Sequence, residues 1–182
     1  SHTSAQTSLE RLIRIKHLLP GAVQLILPDW FPVSIEEVIL FMRRMEEAAN
    51  GIPLVLYNPP HAKKILFPGE WMKIKETLPS LIGVTVYDRN RDSSWYMEVK
   101  EQVNGISVFI PGHQLATGLS LGAHGTYSNM ACLNPFAAQK WYELIKKDAE
   151  AGLELEQRIL LFMQTYITPF ITEKRYPNHA CD

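Results

Sequence analysis

Five short runs of branched apolar residues, separated by stretches of helical apolar spacing, limit this chain to few folds. The clearest is Gly51-Ile-Pro-Leu-Val-Leu-Tyr57-Asn58-Pro59-Pro60. A turn leads into a run without polar alternation, as in a strand buried on both faces of a helix-covered parallel sheet. The prolines cannot extend a ladder, so the strand is expected to end where Tyr57 and Asn58 begin. Ligands of parallel α/β proteins bind at the carboxyl ends of strands, which makes the phenol and the amide candidate site groups. Packing at a strand end is the other reading of Tyr57.

The same grammar recurs along the chain. Thr7-Ser-Leu-Glu10 has the form of a capping box, opening a helix that Pro20-Gly21 closes. Residues 22–27 form the next strand, ending in Pro28-Asp29-Trp30-Phe31-Pro32, whose two large rings must cover a pocket or bury against another subunit. Ser34-Ile-Glu-Glu37 caps a second helix that Asn50-Gly51 stops. Beyond Tyr57 the pattern predicts a helix over 69–77, a strand over 81–86, a polar loop from Asp88 to Ser93 and a helix over 94–102. A strand over 106–110 then halts at Pro111-Gly112-His113, before a short helix over 114–121. The last strand, over 122–129, precedes two long helices, about 136–151 and 153–169.

Strict alternation of strand and helix implies parallel strands joined by right-handed crossovers. An open doubly wound sheet and a stretch of a (β/α)8 barrel both fit. The first normally carries a glycine-rich phosphate turn after an early strand, which 28–32 does not resemble, so the barrel is the better reading. A barrel needs eight strands, so about three β/α units would be absent from the 182 residues.

Composition narrows the partners. The chain is 46% hydrophobic and 20% charged with a formal net charge of −1, which favours neither disorder nor nucleic-acid binding by bulk charge. A small molecule or a second copy of the chain is the expected partner. Two cysteines, Cys132 and Cys181, lack metal-ligand spacing and fit a reducing cytoplasm. No apolar run is long enough for a bilayer span and no signal-peptide pattern is present, so a cytoplasmic protein is expected, with no membrane partner. The six histidines show no recognised ligand spacing, and no metal is expected.

These motifs together resemble the pyruvate-dependent class I aldolases that include dihydrodipicolinate synthase and N-acetylneuraminate lyase. Tyr57-Asn58-Pro59-Pro60 matches the family's Tyr-Asn-x-Pro at the end of the fifth barrel strand, and Pro28-Asp29-Trp30-Phe31 resembles its aromatic loop after the fourth. Ile82-Gly83-Val84 is similar to the strand that ends in the family's lysine, with Thr85 in the lysine's place. Gly122-Ala-His-Gly125-Thr-Tyr127-Ser128, with Asn134-Pro135, resembles the final strand. The motifs are colinear from about Thr3 to Asp182.

The resemblance implies a partial (β/α)8 barrel, about strands 4–8 plus C-terminal helices. It would be a single domain over 1–182, lacking the first three units, the threonine pair that holds substrate carboxylate, and the extreme C-terminus. It also implies aldol condensation or cleavage of pyruvate or a related 2-oxo acid, a homo-oligomer (dimer or tetramer) and no cofactor. In the family the lysine forms an imine with the ketone, an electron sink for carbon–carbon chemistry, while a tyrosine equivalent to Tyr57 shuttles protons. A hydroxyl forms no imine, so that mechanism cannot run from Thr85. Asn58, Trp30, Gly112, His113, Tyr127 and Ser128 are the implied substrate-binding positions, with Asn129 at the rim. Trp30 takes the place of an aromatic that reaches into a neighbouring subunit's site.

Lys63 and Lys64, next to Ala62 where many members carry an arginine, are the nearest alternative amines, although a Lys-Lys pair in a loop reads first as solvated surface. Asp88, Arg89 and Arg91 would add charge at the mouth. A catalytically silent relative, binding a small carboxylate or serving as a subunit partner, is the second reading. Open sheet edges and an uncovered interior would make the chain alone aggregate or pair.

Overall fold

The computed structural model describes residues 3–59, 62–86 and 93–176. The chain divides into two compact units, one ending at Phe109 and the other beginning at Ile110.

The first unit opens with α1 (Ala5–Ile15), capped by Ser4, whose Oγ accepts from the amide of Thr7 at 3.4 Å. The expected box at Thr7 and Glu10 is therefore displaced by one turn, and Glu10 instead accepts from the Gln6 side chain. Strand β1 (Val23–Ile26) follows. α2 (Ile35–Ala49) begins with the expected capping box, Glu37 N donating to Ser34 Oγ at 3.2 Å and Ser34 N to Glu37 Oε2 at 2.7 Å. A hydrogen bond from its own backbone amide, then one from Ser34, holds the exposed Glu36 carboxyl below its ordinary pKa. The helix stops where Asn50 turns left-handed (φ 52°) and Gly51 follows at φ 90°.

Then come β2 (Leu54–Asn58), α3 (Pro68–Thr77), β3 (Leu81–Val86), α4 (Ser93–Gln102) and β4 (Ser107–Pro111). The expected loop from Asp88 through Arg89 and Arg91 to position 92 lies outside the described residues, as do Pro60, His61 and Cys181.

All described pairings are parallel, and the strand order is β1-β2-β3-β4-β5. A doubly wound sheet reverses its strand order at a switch point, and a sequential order has none, so these strands are laid down as in a barrel.

Register partners on parallel strands share a face, and residues two apart on a strand do too. Leu25, Leu56, Val84 and Val108 form one row, and all are at most 1% exposed. The helices add Val38, Met42, Met45, Trp71 and Ile74 to the buried core. Burying each such side chain is worth about 1.5–3 kcal/mol. The opposite face carries the row Ile26, Tyr57, Thr85, Phe109. It is only partly covered, so burial alternates along β1 and β4.

The second unit holds α5 (Leu115–Ser120), β5 (Gly125–Tyr127), α6 (Asn129–Leu133), α7 (Pro135–Lys147), α8 (Ala149–Phe162) and, after a π-helical turn at Met163–Ile167, α9 (Thr168–Thr172). The last strand is shorter than its sequence suggested because Ser128 accepts from Ala131 N and starts α6. The break between the long helices falls at Asp148 and not at Gly152. Asp148 leaves helical geometry (φ −149°, ψ 94°), and its carboxylate accepts from Ala151 N at 3.0 Å. Gly152 serves packing instead. A Cβ there would lie 2.6 Å from Ile145 Cγ1 and 3.0 Å from its Cα, and Gly152 O accepts from Trp141 Nε1 at 3.1 Å. Leu115, Ala116, Met130, Trp141 and Ile145 form the buried cluster of this unit.

Candidate functional site

Tyr57 and Thr85 are register partners on neighbouring strands, next to the carboxyl ends of β2 and β3. They therefore stand side by side on the less covered face. Thr85 is buried at 7% exposure, and its Oγ1 accepts a hydrogen bond of 3.3 Å from Gln24 Nε2. Gln24 starts two strands away and one pleat back, in the row Gln24, Val55, Gly83, Ser107 of the same face. A side chain at Gly83 would be tight: a Cβ would lie 3.1 Å from the Phe109 ring and 3.2 Å from Ser107 O. Gln24 was not foreseen. The available signal was a polar residue interrupting an otherwise apolar run, Ala22-Val-Gln-Leu-Ile-Leu27.

Asn58 faces the other way, since its neighbour Tyr57 is on the less covered side. Its buried amide bonds the loop beyond β2, Nδ2 donating to Lys64 O and Oδ1 accepting from Leu66 N, both at 2.8 Å. Glu70 braces the same loop, pairing with Lys64 Nζ at 2.6 Å and accepting from Phe67 N at 3.0 Å. Lys63 Nζ donates to Trp30 O at 2.7 Å, and Lys63 N donates to Asp29 Oδ1 at 3.0 Å, tying the loops after β1 and β2 together. Both loop amines are thus held by partners of their own. Trp30 and Phe31 are each 76% exposed.

The remaining candidates lie in the second unit. His113 Nδ1 and the side-chain amide of Asn129 are 3.2 Å apart, within hydrogen-bonding distance, with the imidazole tautomer setting which group donates. Gly112 is buried where a Cβ would meet Ser128 Oγ at 2.5 Å and Ser128 Cα at 2.8 Å. Ser128 spends its oxygen on capping α6, while Tyr127 is exposed. Thr126 Oγ1 donates to Ile110 O at 2.5 Å.

A carboxylate that the sequence did not single out organises this unit. Glu156 on α8, 1% exposed, accepts from Ala116 N at 2.7 Å and from Thr117 N and the Thr117 hydroxyl, all at the start of α5. Among the described residues no group of three or more His, Cys, Asp or Glu could hold a metal ion, and no helix is long and apolar enough to cross a membrane.

The fold matches part of the (β/α)8 barrel seen in structures of the dihydrodipicolinate synthase family, and the resemblance read in the sequence is borne out. No family model matches the sequence. A curated relative, N-acetylneuraminate lyase 2 of Escherichia coli O6:H1, is 28% identical over 133 residues, covering 69% of this chain and 43% of that protein. The crystal structure of YagE, a prophage protein of the dihydrodipicolinic acid synthase family from E. coli K12 in complex with pyruvate, superposes with a TM-score of 0.80 at 19% identity, covering 93% of this chain and 59% of that one. A catalytic-lysine mutant of Ruminococcus gnavus sialic acid aldolase gives a TM-score of 0.76 at 18% identity, covering 94% and 55% respectively. The chain thus spans 43% of its curated relative and between half and two thirds of these solved structures.

Proposed function

We propose that this chain carries part of a 2-oxo acid site of the dihydrodipicolinate synthase and N-acetylneuraminate lyase kind, and that the site grips pyruvate or a related acid through hydrogen bonds instead of an imine. The observation that carries this reading is the buried Thr85 hydroxyl, in register with Tyr57 and bonded to Gln24. The related R. gnavus sialic acid aldolase has a catalytic lysine, and the YagE complex holds pyruvate. Here Thr85, the position that the sequence resemblance sets in the family lysine's place, offers only a hydroxyl, which forms no imine.

Other amines are poorly placed to substitute. Lys63 and Lys64 are committed to Trp30 O and Glu70. Lys75 Nζ bonds Pro79 O and Leu81 O, at the opposite end of β3 from Thr85. Carbon–carbon lyase chemistry through an imine is therefore absent from this chain, and Tyr57 acts as a hydrogen-bonding partner of bound acid. The exposed rings of Trp30 and Phe31 support a homo-oligomer built on the loop after β1.

Borohydride reduction in the presence of pyruvate, read by intact-protein mass spectrometry, tests the reading. No covalent adduct is expected on the chain as it stands, and Thr85→Lys is expected to gain one. An adduct on the unmodified chain would show that another amine does the work.

A further inference from the structure

Gln24 and Thr85 form a pair that spans the sheet, and the span is demanding. Two strand spacings amount to roughly 9–10 Å, and the pair is also displaced by one pleat along the strands. A glutamine carries its amide far enough to close the gap at 3.3 Å, and asparagine, one methylene shorter, does not. Val55 and Gly83, the register partners between Gln24 and β4, present no polar group that could intercept the amide.

The direction of the bond matters as much as its existence. A threonine hydroxyl has two acceptor lone pairs and one proton. Gln24 occupies a lone pair, and among the described residues the Thr85 proton is donated to no protein group. A buried hydroxyl with its proton uncommitted is a donor awaiting an acceptor, and an oxygen of a carboxylate or a ketone is such an acceptor.

We infer that Gln24 is a positioning residue: its amide bond to Thr85 Oγ1 turns the threonine proton toward the face shared with Tyr57, making Thr85 a donor to an oxygen of a bound 2-oxo acid. This rests on the noncovalent 2-oxo acid reading of the site. Gln24 does not touch the ligand in this arrangement, and its influence passes through the hydroxyl.

Pyruvate titration of the full chain, followed by ligand-observed NMR, tests the inference with four variants. Gln24→Asn keeps the amide and loses the reach, whereas Gln24→Met keeps the length and stem and loses the donor. Thr85→Val removes the hydroxyl at constant shape, and Gln24→Met is combined with Thr85→Val in the fourth. Both Gln24 variants and Thr85→Val are expected to weaken pyruvate binding about fivefold, the scale of one net hydrogen bond. The double variant should bind no more weakly than Thr85→Val alone, because the glutamine acts only through the hydroxyl. If Gln24 served packing alone, Gln24→Met would bind like the parent, which overturns the inference, as would additive losses in the double variant. A parent chain that does not bind pyruvate at all would instead overturn the 2-oxo acid reading itself, and this inference with it.

Discussion

At the scale of the residue, substitutions that look alike on paper separate by which groups they leave unpaired. Glu156 holds the first amides of α5 and the Thr117 hydroxyl with a carboxylate that is 1% exposed. Glu156→Leu fills similar space and strands those donors, each buried orphan costing about 1–3 kcal/mol. Urea unfolding of this variant is expected to show a loss of about 3 kcal/mol, and a loss under about 0.5 kcal/mol would mean that the carboxylate is not what holds α5. Residue types were only partly legible in sequence. Tyr57 was legible as a polar group at the end of an apolar run, with packing at a strand end as its other reading, while Thr85 stood out only through the family resemblance that puts a lysine there. Gln24 and Glu156 did not, because their partners lie 61 and about 40 residues away and no local pattern encodes such a pairing. Asn58 was legible as a strand-end amide, but its bonding to the Lys64 and Leu66 backbone could be seen only once the loop was in place.

At the scale of the element, local grammar is read well where its signals act within a turn of helix and poorly where packing overrides them. The box at Ser34 and Glu37 and the left-handed stop at Asn50 occur as spelled. Thr7 and Glu10 spell the same box, yet Ser4 caps the helix first. Gly152 reads as a helix stop, yet its missing side chain admits Ile145, and Asp148 makes the break. Gly112 belongs to the same category of close approach. Its Cβ would sit 2.8 Å from the backbone of Ser128, which cannot rotate aside as a side chain could. Gly112→Ala should therefore cost about 2 kcal/mol in urea unfolding by overpacking the contact between the turn after β4 and Ser128 at the start of α6. An unchanged midpoint would contradict that approach.

At the scale of the whole molecule, alternation of strands and helices selected parallel topology before any side chain was considered, and sequential strand order separates a barrel from a doubly wound sheet. What alternation could not convey is the asymmetry between the two faces of the sheet. The helix-side row is sealed, while the row through Tyr57 and Thr85 remains partly open, as suits the lining of a barrel interior. The chain spans 59% of the YagE structure, so the site proposed here is the part of a barrel mouth that β1 to β3 contribute. The most direct test is a crystal of this protein soaked with pyruvate. The account predicts a discrete ligand with an oxygen within hydrogen-bonding distance of Thr85 Oγ1 and beside Tyr57, and continuous electron density joining the ligand to any side chain would contradict it.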